Sequence, residues 1–339
     1  MPLARIKDVL IMSANNREKC AASTEVSFIV PTLNCELYLP RCLSAIRKQQ
    51  CAGTDFFEII VVDNGSTDAT VRIAREYGAK IYSAPGETVA ALRNLGALKS
   101  TGSLLAYVDS DCVISEGWLE YALRHFTDPE TGAAGATTCI EDNSGWVPRY
   151  WLTQRRKETG IKNVSWLPTE NLVIRKSVFE AAGGFNEHLI TCEDVDLCYR
   201  IARNFKILSD PAMHSVHLGE ARTLSQFYKK EKWRGKGNLQ GLFAHGIIPD
   251  EIPSLLLPLY YLVSFLLLFF SAWGLVNGKT GLFLASALMI TFPVALLAFR
   301  TSVRGKNWKA FGPLSLLYFI YSLARTAAIL PWGVKKKDR

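Results

Sequence analysis

Val61-Val62-Asp63-Asn64-Gly65-Ser66-Thr67-Asp68 stands between two segments of different period. Residues 56–63 are a β-rich apolar run that ends in an acid, and residues 67–77 carry helical spacing. A strand, an acid, a glycine turn and a Ser/Thr cap leading into a helix form half of a strand–helix–strand unit. The same alternation continues outward. Residues 26–31 read as a buried strand and 38–49 as a helix; 79–83 is a short strand and 88–100 a helix; 103–109 is another strand. Strands alternating with helices predict an α/β fold with a mainly parallel sheet covered on both faces. Ligands of such sheets bind beyond the carboxyl ends of the strands. Three strands end there in polar residues: Thr32 and Asn34, Asp63 and Asn64, Asp109 and Asp111.

The 339 residues are 49% apolar and 21% charged, which excludes disorder for the bulk of the chain. A net charge of +8 points mildly toward anionic partners. The eight cysteines form no C-x-x-C pair, so a zinc knuckle is excluded and reduced thiols are expected. Neither G-x-G-x-x-G nor a P-loop is present, which argues against dinucleotide and P-loop chemistry. The first residues hold Arg5, Lys7 and Asp8 around a short apolar run, too little for a secretory signal. Composition changes near residue 250. Residues 254–276 and 281–299 carry no charge and are each long enough to cross a bilayer. The expected organisation is an extension over 1–25, an aqueous domain over 26–240 and a membrane region over 241–339. Lys279 lies between the two runs, and Arg300, Arg304, Lys306 and Lys309 follow the second, so the aqueous domain is expected on the cytosolic side. Arg325 interrupts a third run, where Ser315, Tyr318, Ser322, Arg325 and Thr326 share one helical face. That pattern predicts an interfacial or re-entrant helix over 310–331, with the basic tail inside.

Three acidic motifs carry candidate chemistry. Asp109-Ser110-Asp111 follows a strand, and two carboxylates so spaced can hold a hard divalent ion; an acidic turn has the same pattern. Asp63 can accept a hydrogen bond from a base N–H, or simply close its own turn. Thr191-Cys192-Glu193-Asp194 opens a helical run, either as a capping box or as a carboxylate base fixed at a helix start.

Val30-Pro31-Thr32-Leu33-Asn34, Val62 to Asp68, Asp109-Ser110-Asp111 and Gly183-Gly184-Phe185 with Glu193-Asp194 occur in this order on the α/β pattern. Arg93-Asn94-Leu95-Gly96 and Asn171-Leu172-Val173-Ile174-Arg175 add two further matches. Together they resemble family 2 of the nucleotide-sugar-dependent glycosyltransferases, over about residues 26–238. The resemblance implies a GT-A fold and roles for single residues. Pro31 and Thr32 line the nucleotide pocket, Asp63 recognises the base, and Arg93 contacts the base or diphosphate. Asp109, with Ser110, meets the donor's ribose and the metal, and Asp111 is the principal metal ligand. Asp194 is the general base, with Glu193 as its support. The segment at 171–175 lies on the acceptor side. A metal-binding histidine falls at His214 or His217, with His217 preferred because a loop opens directly after it. Leu33 and Cys35 depart from the aromatic and acidic residues common in the first motif, which leaves the base open.

The implied function is inverting transfer of a sugar from a nucleotide diphosphate to an acceptor hydroxyl. The cofactor is Mg2+ or Mn2+, and the donor is a UDP-sugar first, with GDP- and TDP-sugars as alternatives. The expected acceptor is lipid-linked or bound for a cell-envelope glycan, at the cytosolic face of a plasma membrane that the chain crosses more than once. The basic aromatic stretch at 226–236 suits a solvated helix or anionic headgroups. No nucleic acid is expected, because apolar runs adjoin that stretch. The chain has Trp233-Arg234 where processive synthases of the family carry Q-x-x-R-W, which favours single-sugar addition. Transfer to a polyprenyl phosphate, and a membrane scaffold without activity, are the alternatives; Glu193-Asp194 speaks against the first and the intact acids against the second.

Overall fold

The computed structural model describes residues 26–49, 57–141, 143–152, 159–245, 252–276, 278 and 280–330. The extension expected over 1–25, the turn residue Lys279 and the basic tail Lys335, Lys336, Lys337 and Arg339 lie outside the described residues.

Strand β1 (Val26–Thr32) leads to helix α1 (Leu39–Arg47), β2 (Phe57–Asp63) to α2 (Thr70–Glu76), and β3 (Lys80–Ser83) to α3 (Val89–Lys99), before β4 (Leu104–Val108). The four strands pair in parallel in the order β3-β2-β1-β4. Every residue of β1 and β4 is buried, as strands covered on both faces require. Phe28, Val30, Leu39, Leu43 and Ile46 fill the core on the α1 side, and Ile29, Leu105 and Tyr107 fill it on the other. β1 pairs with β2 as far as Thr32 but with β4 only as far as Ile29. The sheet therefore opens a notch at this edge, and Pro31, which has no N–H to donate, sits where pairing with β4 has ended.

The next elements are β5 (Cys112–Ile114), α4 (Trp118–His125), β6 (Thr131–Gly135), β7 (Cys139–Ile140) and α5 (Trp146–Leu152). They are followed by β8 (Lys162–Asn163), β9 (Asn171–Arg175), α6 (Lys176–Ala181), α7 (Glu193–Ala202), β10 (Lys206–Ser209) and β11 (Ser215–His217). They extend the sheet through β4-β9-β6-β10-β8, with β9 antiparallel to β4 and β6, so the mainly parallel sheet is mixed. Residues 171–175, expected beside the acceptor, form the buried strand β9. Trp118 Nε1 donates to Asn171 Oδ1 at 2.7 Å, and Asn171 Nδ2 donates to the Met213 carbonyl at 2.8 Å, which ties the segment into the core. A smaller sheet, β5-β11-β7, sets His217 opposite Cys112, one residue past Asp111.

Among the described residues, four α-helices follow β11: α8 (Leu224–His245), α9 (Ile252–Val276), α10 (Thr280–Arg304) and α11 (Phe311–Ile329). Among the described residues, two stretches are long and apolar enough to cross a membrane, Ser254–Leu275 and Thr280–Arg304. They display Phe269, Phe270, Trp273, Leu284 and Leu288 outward, an apolar surface larger than a water-exposed face usually tolerates. α10 runs beyond the expected residue 299, and Arg300 and Arg304 belong to the helix rather than to a loop. The polar face of α11 turns toward protein. Tyr318 shares a 2.9 Å hydrogen bond with Thr301, Thr326 Oγ1 donates to the Pro258 carbonyl at 3.4 Å, and Arg325 donates to Glu231 of α8 at 2.8 Å.

Candidate active site

The loops that follow β1 and β2 are joined by side chains. Asn34 takes φ +49° and accepts from the Thr67 N–H at 2.9 Å, while Ser66 Oγ accepts from its N–H. Glu36 accepts from the Ala69 N–H, and Asp68 from the Glu36 N–H. Asp63 is buried beneath them. Its Oδ2 accepts from the Gly65 and Ser66 N–H groups at 3.0 and 2.9 Å, and its Oδ1 from Ser66 Oγ at 2.5 Å and Thr32 Oγ1 at 3.3 Å. A carboxylate offers about four acceptor positions, and the turn together with Thr32 of β1 fills them, the Thr32 hydroxyl making the longest contact. Pro31 and Thr32 are buried under this edge, and the residues that follow them face the cleft.

Arg93 joins two of the acidic motifs. It is 3% exposed, donates to Asp109 Oδ1 at 2.7 Å and to Glu193 Oε1 at 2.6 Å, and lies over the Phe185 ring. Burial works against its charge, but the Asp109 and Glu193 carboxylates outweigh it and raise the pKa. Its guanidinium thus ties the carboxylates of the two motifs together. The next residue, Asn94, pairs with both backbone groups of Phe185 at 2.9 Å and holds the Gly183-Gly184-Phe185 turn. Gly96 completes the motif because a Cβ there would fall 2.4 Å from Ile29 Cγ2. The glycine lets α3 approach β1 closely enough to deliver Arg93.

Thr191 does not cap α7. The N-cap is Cys192 at φ +67°, with no side-chain cap bond, and Asp194 Oδ1 accepts from the adjacent Val195 N–H at 2.8 Å. Asp194 is partly buried beside Glu193. Burial, then the Glu193 charge, push its carboxyl up to about 7, with Arg93 opposing. A carboxylate that titrates near neutrality suits a general base.

His217 is buried at the far side of Asp111. Its Nε2 faces Asp111 Oδ2 at 3.6 Å and Glu170 Oε2 at 3.8 Å, and its Nδ1 faces Glu220 Oε1 at 3.8 Å without a hydrogen bond. Asp111 Oδ2 would lie 2.0 Å from a Cβ on Gly219, so the segment after β11 is pressed onto the carboxylate. A ring nitrogen turned to carboxylate oxygens, none within hydrogen-bond reach, is a donor set that suits Mg2+ or Mn2+. The Cys112 thiol lies close to Asp111 and His217, but burial raises its pKa, and a protonated sulfur is a poor ligand for a hard ion. His217 rather than His214 therefore meets Asp111.

A cleft of about 480 Å³ opens over Asp111 and Ser110. Its floor is Leu33, Asn34, Cys35 and Tyr38, and its opposite wall includes Arg222, Lys229 and Lys230. Lys230 donates to Glu220 at 2.8 Å; Glu220 is partly buried, which opposes ionisation, but Lys230 and His217 bring its pKa down to about 2. These cations, and Glu170, were not singled out in the sequence. The signal was present, since the basic stretch at 226–236 begins nine residues after β11 ends at His217, but its charges read equally well as a solvated or membrane-facing helix.

Residues 27–184 match the family model Glycosyl transferase family 2. Over 224 residues the chain is 29% identical to glycosyltransferase AglE of Haloferax volcanii, covering 63% of this chain and 73% of that one. Over 190 residues it is 28% identical to the pre-mycofactocin glycosyltransferase of Mycobacterium tuberculosis, covering 52% and 39%. The chain thus spans well under two thirds of that second relative's length. Among solved structures, mannosyltransferase PcManGT of Pyrobaculum calidifontis, in complex with GDP-Man and Mn2+, superposes with a TM-score of 0.56 at 16% identity, over 95% of this chain and 94% of that one. Family match, motif order and sheet topology agree: residues 27–184 form a glycosyl transferase family 2 domain, and the chain has the GT-A fold of its structural neighbour.

Proposed function

We propose that this chain is an inverting, metal-dependent glycosyltransferase that moves a sugar from a nucleoside diphosphate to an acceptor hydroxyl. The observation that carries the reading is Arg93, whose guanidinium fixes Asp109 of one acidic motif against Glu193 of the other, beside an Asp194 that titrates near neutrality. The nucleotide base lies at Asp63 and Thr32, the ribose at Asp109 and Ser110, and the diphosphate in the cleft under Arg222, Lys229 and Lys230. Asp111 and His217 would hold Mg2+ or Mn2+, with Asp109 near; when bound, the ion neutralises charge on the leaving diphosphate. The three cations stabilise the same charge. Asp194 takes the proton of the acceptor hydroxyl as it attacks, and a single displacement inverts the anomeric carbon. A phosphate acceptor needs no base, so the tuning of Asp194 favours a hydroxyl. The apolar hairpin α9–α10 supports attachment to a membrane, with a lipid-linked or cell-envelope glycan as acceptor. PcManGT is described with GDP-Man and Mn2+; for this chain UDP-sugars are placed first, with GDP- and TDP-sugars beside them. The test is release of nucleoside diphosphate from a panel of UDP-, GDP- and TDP-sugars by the purified full chain in detergent, with Mn2+ and with chelator. Metal-dependent release from one donor class supports the reading, and no release from any donor overturns it.

A further inference from the structure

Helix α8 touches three parts of the molecule. Its first turns line the donor cleft through Gln226, Lys229 and Lys230. Its middle braces the turn before α7: Thr191 Oγ1 donates to the Arg234 carbonyl at 3.3 Å, and a Cβ on Gly237 would fall 1.7 Å from that same oxygen. On another side it carries α11, where a Cβ on Gly235 would lie 2.7 Å from Ala328 Cβ and 3.2 Å from Arg325 Cδ. Residues two apart on a helix point to nearly opposite sides, so the two glycines let α8 be gripped from both. Each glycine is a poorer helix former than alanine, and close approach of both neighbours accounts for them. At the crossing, Glu231 is 2% exposed and accepts from Arg234 and Arg325, each at 2.8 Å. Around it, Trp151 packs on Phe227 of α8 and on Tyr318 and Tyr321 of α11.

A buried ion pair is weak as a device for stability, because apolar residues of similar volume do as well or better. It does fix register and orientation. We propose that the Glu231–Arg325 pair is a positioning device that couples the C-terminal helices to the active site. The seat of α11 on α8 sets where Lys229 and Lys230 stand in the donor cleft and how α8 braces the turn that carries Asp194. Glu231 is the residue after Lys230, so a shift at the crossing is passed directly to the cleft. The inference rests on the reading of that cleft as the donor site.

The test uses the full chain in detergent, with UDP, GDP and TDP in Mn2+ as probes, and reads nucleotide affinity, donor KM, kcat and melting temperature. Arg325→Met and Gly235→Ala are expected to weaken nucleotide binding and raise donor KM roughly tenfold, a usual size for coupling between sites. Arg325→Lys should recover most of the loss from the first. Ala328→Gly added to Gly235→Ala should recover the second, because it removes the atom the new methyl meets. Gly235→Ala raises helix propensity, so this variant keeps α8 folded whatever becomes of Arg325→Met. Unchanged affinity and KM in Gly235→Ala, whether or not its melting temperature falls, overturns the inference while the glycosyltransferase reading stands. Failure of the wild-type chain to bind any of the nucleotides overturns that reading and the inference with it.

Discussion

The carboxyls of Asp194 and Glu220 are shifted in opposite directions. The Asp194 carboxyl is raised from 3.8 to about 7 by burial and the adjacent Glu193. The fold thus favours its protonated form, and the stability this adds is complete below about pH 4 and lost as pH rises through 7. The base form appears over the same interval. A pH profile of kcat should therefore rise through an apparent pKa near 7, and Asp194→Asn should flatten it. Glu220 is held down to about 2, so its contribution is present above about pH 4.5 and lost as pH falls toward 2. Gly219 makes a sharper prediction. A methyl there meets Asp111 Oδ2 at 2.0 Å, so Gly219→Ala should weaken Mn2+ binding, measured by titration, with little change in nucleotide affinity in chelator. Asp111→Asn should lose most of the metal response in turnover, because an amide lacks the charge a hard ion selects. Asp63, Asp109, Asp111 and Asp194 were legible in the sequence because each stands at a strand or helix end in a short motif. Glu170 and Lys230 were not, because only the pairing of β9 with β4 and the entry of α8 bring them to Asp111.

The helix α3 shows what an element adds to its residues. Arg93, Asn94 and Gly96 occupy three faces, toward the acids, toward the Gly183-Gly184-Phe185 turn and toward Ile29. Gly96→Ala should destabilise the fold by about 1–3 kcal/mol, the usual cost of overpacking, seen as a lower melting temperature. It should also cut turnover in the protein that stays folded, because Arg93 moves with the helix. The first seven elements were legible because continuous apolar runs and helical spacing alternate from 26 to 109. The second half was not, since β5, β7, β8 and β11 are two or three residues long and too short to show a period. That 171–175 forms β9 between β4 and β6 was not legible, because its pairing with both is a property of the sheet, not of the strand.

At the scale of the whole molecule, the aqueous domain and the apolar hairpin are joined by α8 and α11. The division near residue 250 was legible from composition alone. The partner of Arg325 was not, because Glu231 lies 94 residues away and the apolar run around Arg325 also suits an interfacial helix. We expect the full chain to stay in the membrane pellet through an alkaline carbonate wash, as an integral hairpin does; release into the supernatant would contradict the membrane reading. The account stands or falls on the junction of Arg93, Asp109, Glu193 and Asp194 as the centre of transfer. The direct test is Asp194→Asn, with donor affinity, melting temperature and nucleoside diphosphate release measured on one preparation. Donor affinity should stay within a few-fold of wild type, with melting little changed, while release falls by roughly 10²–10⁴-fold, the scale of a lost general base. Release that follows only the folded fraction, with full turnover in the protein that remains folded, would contradict the account.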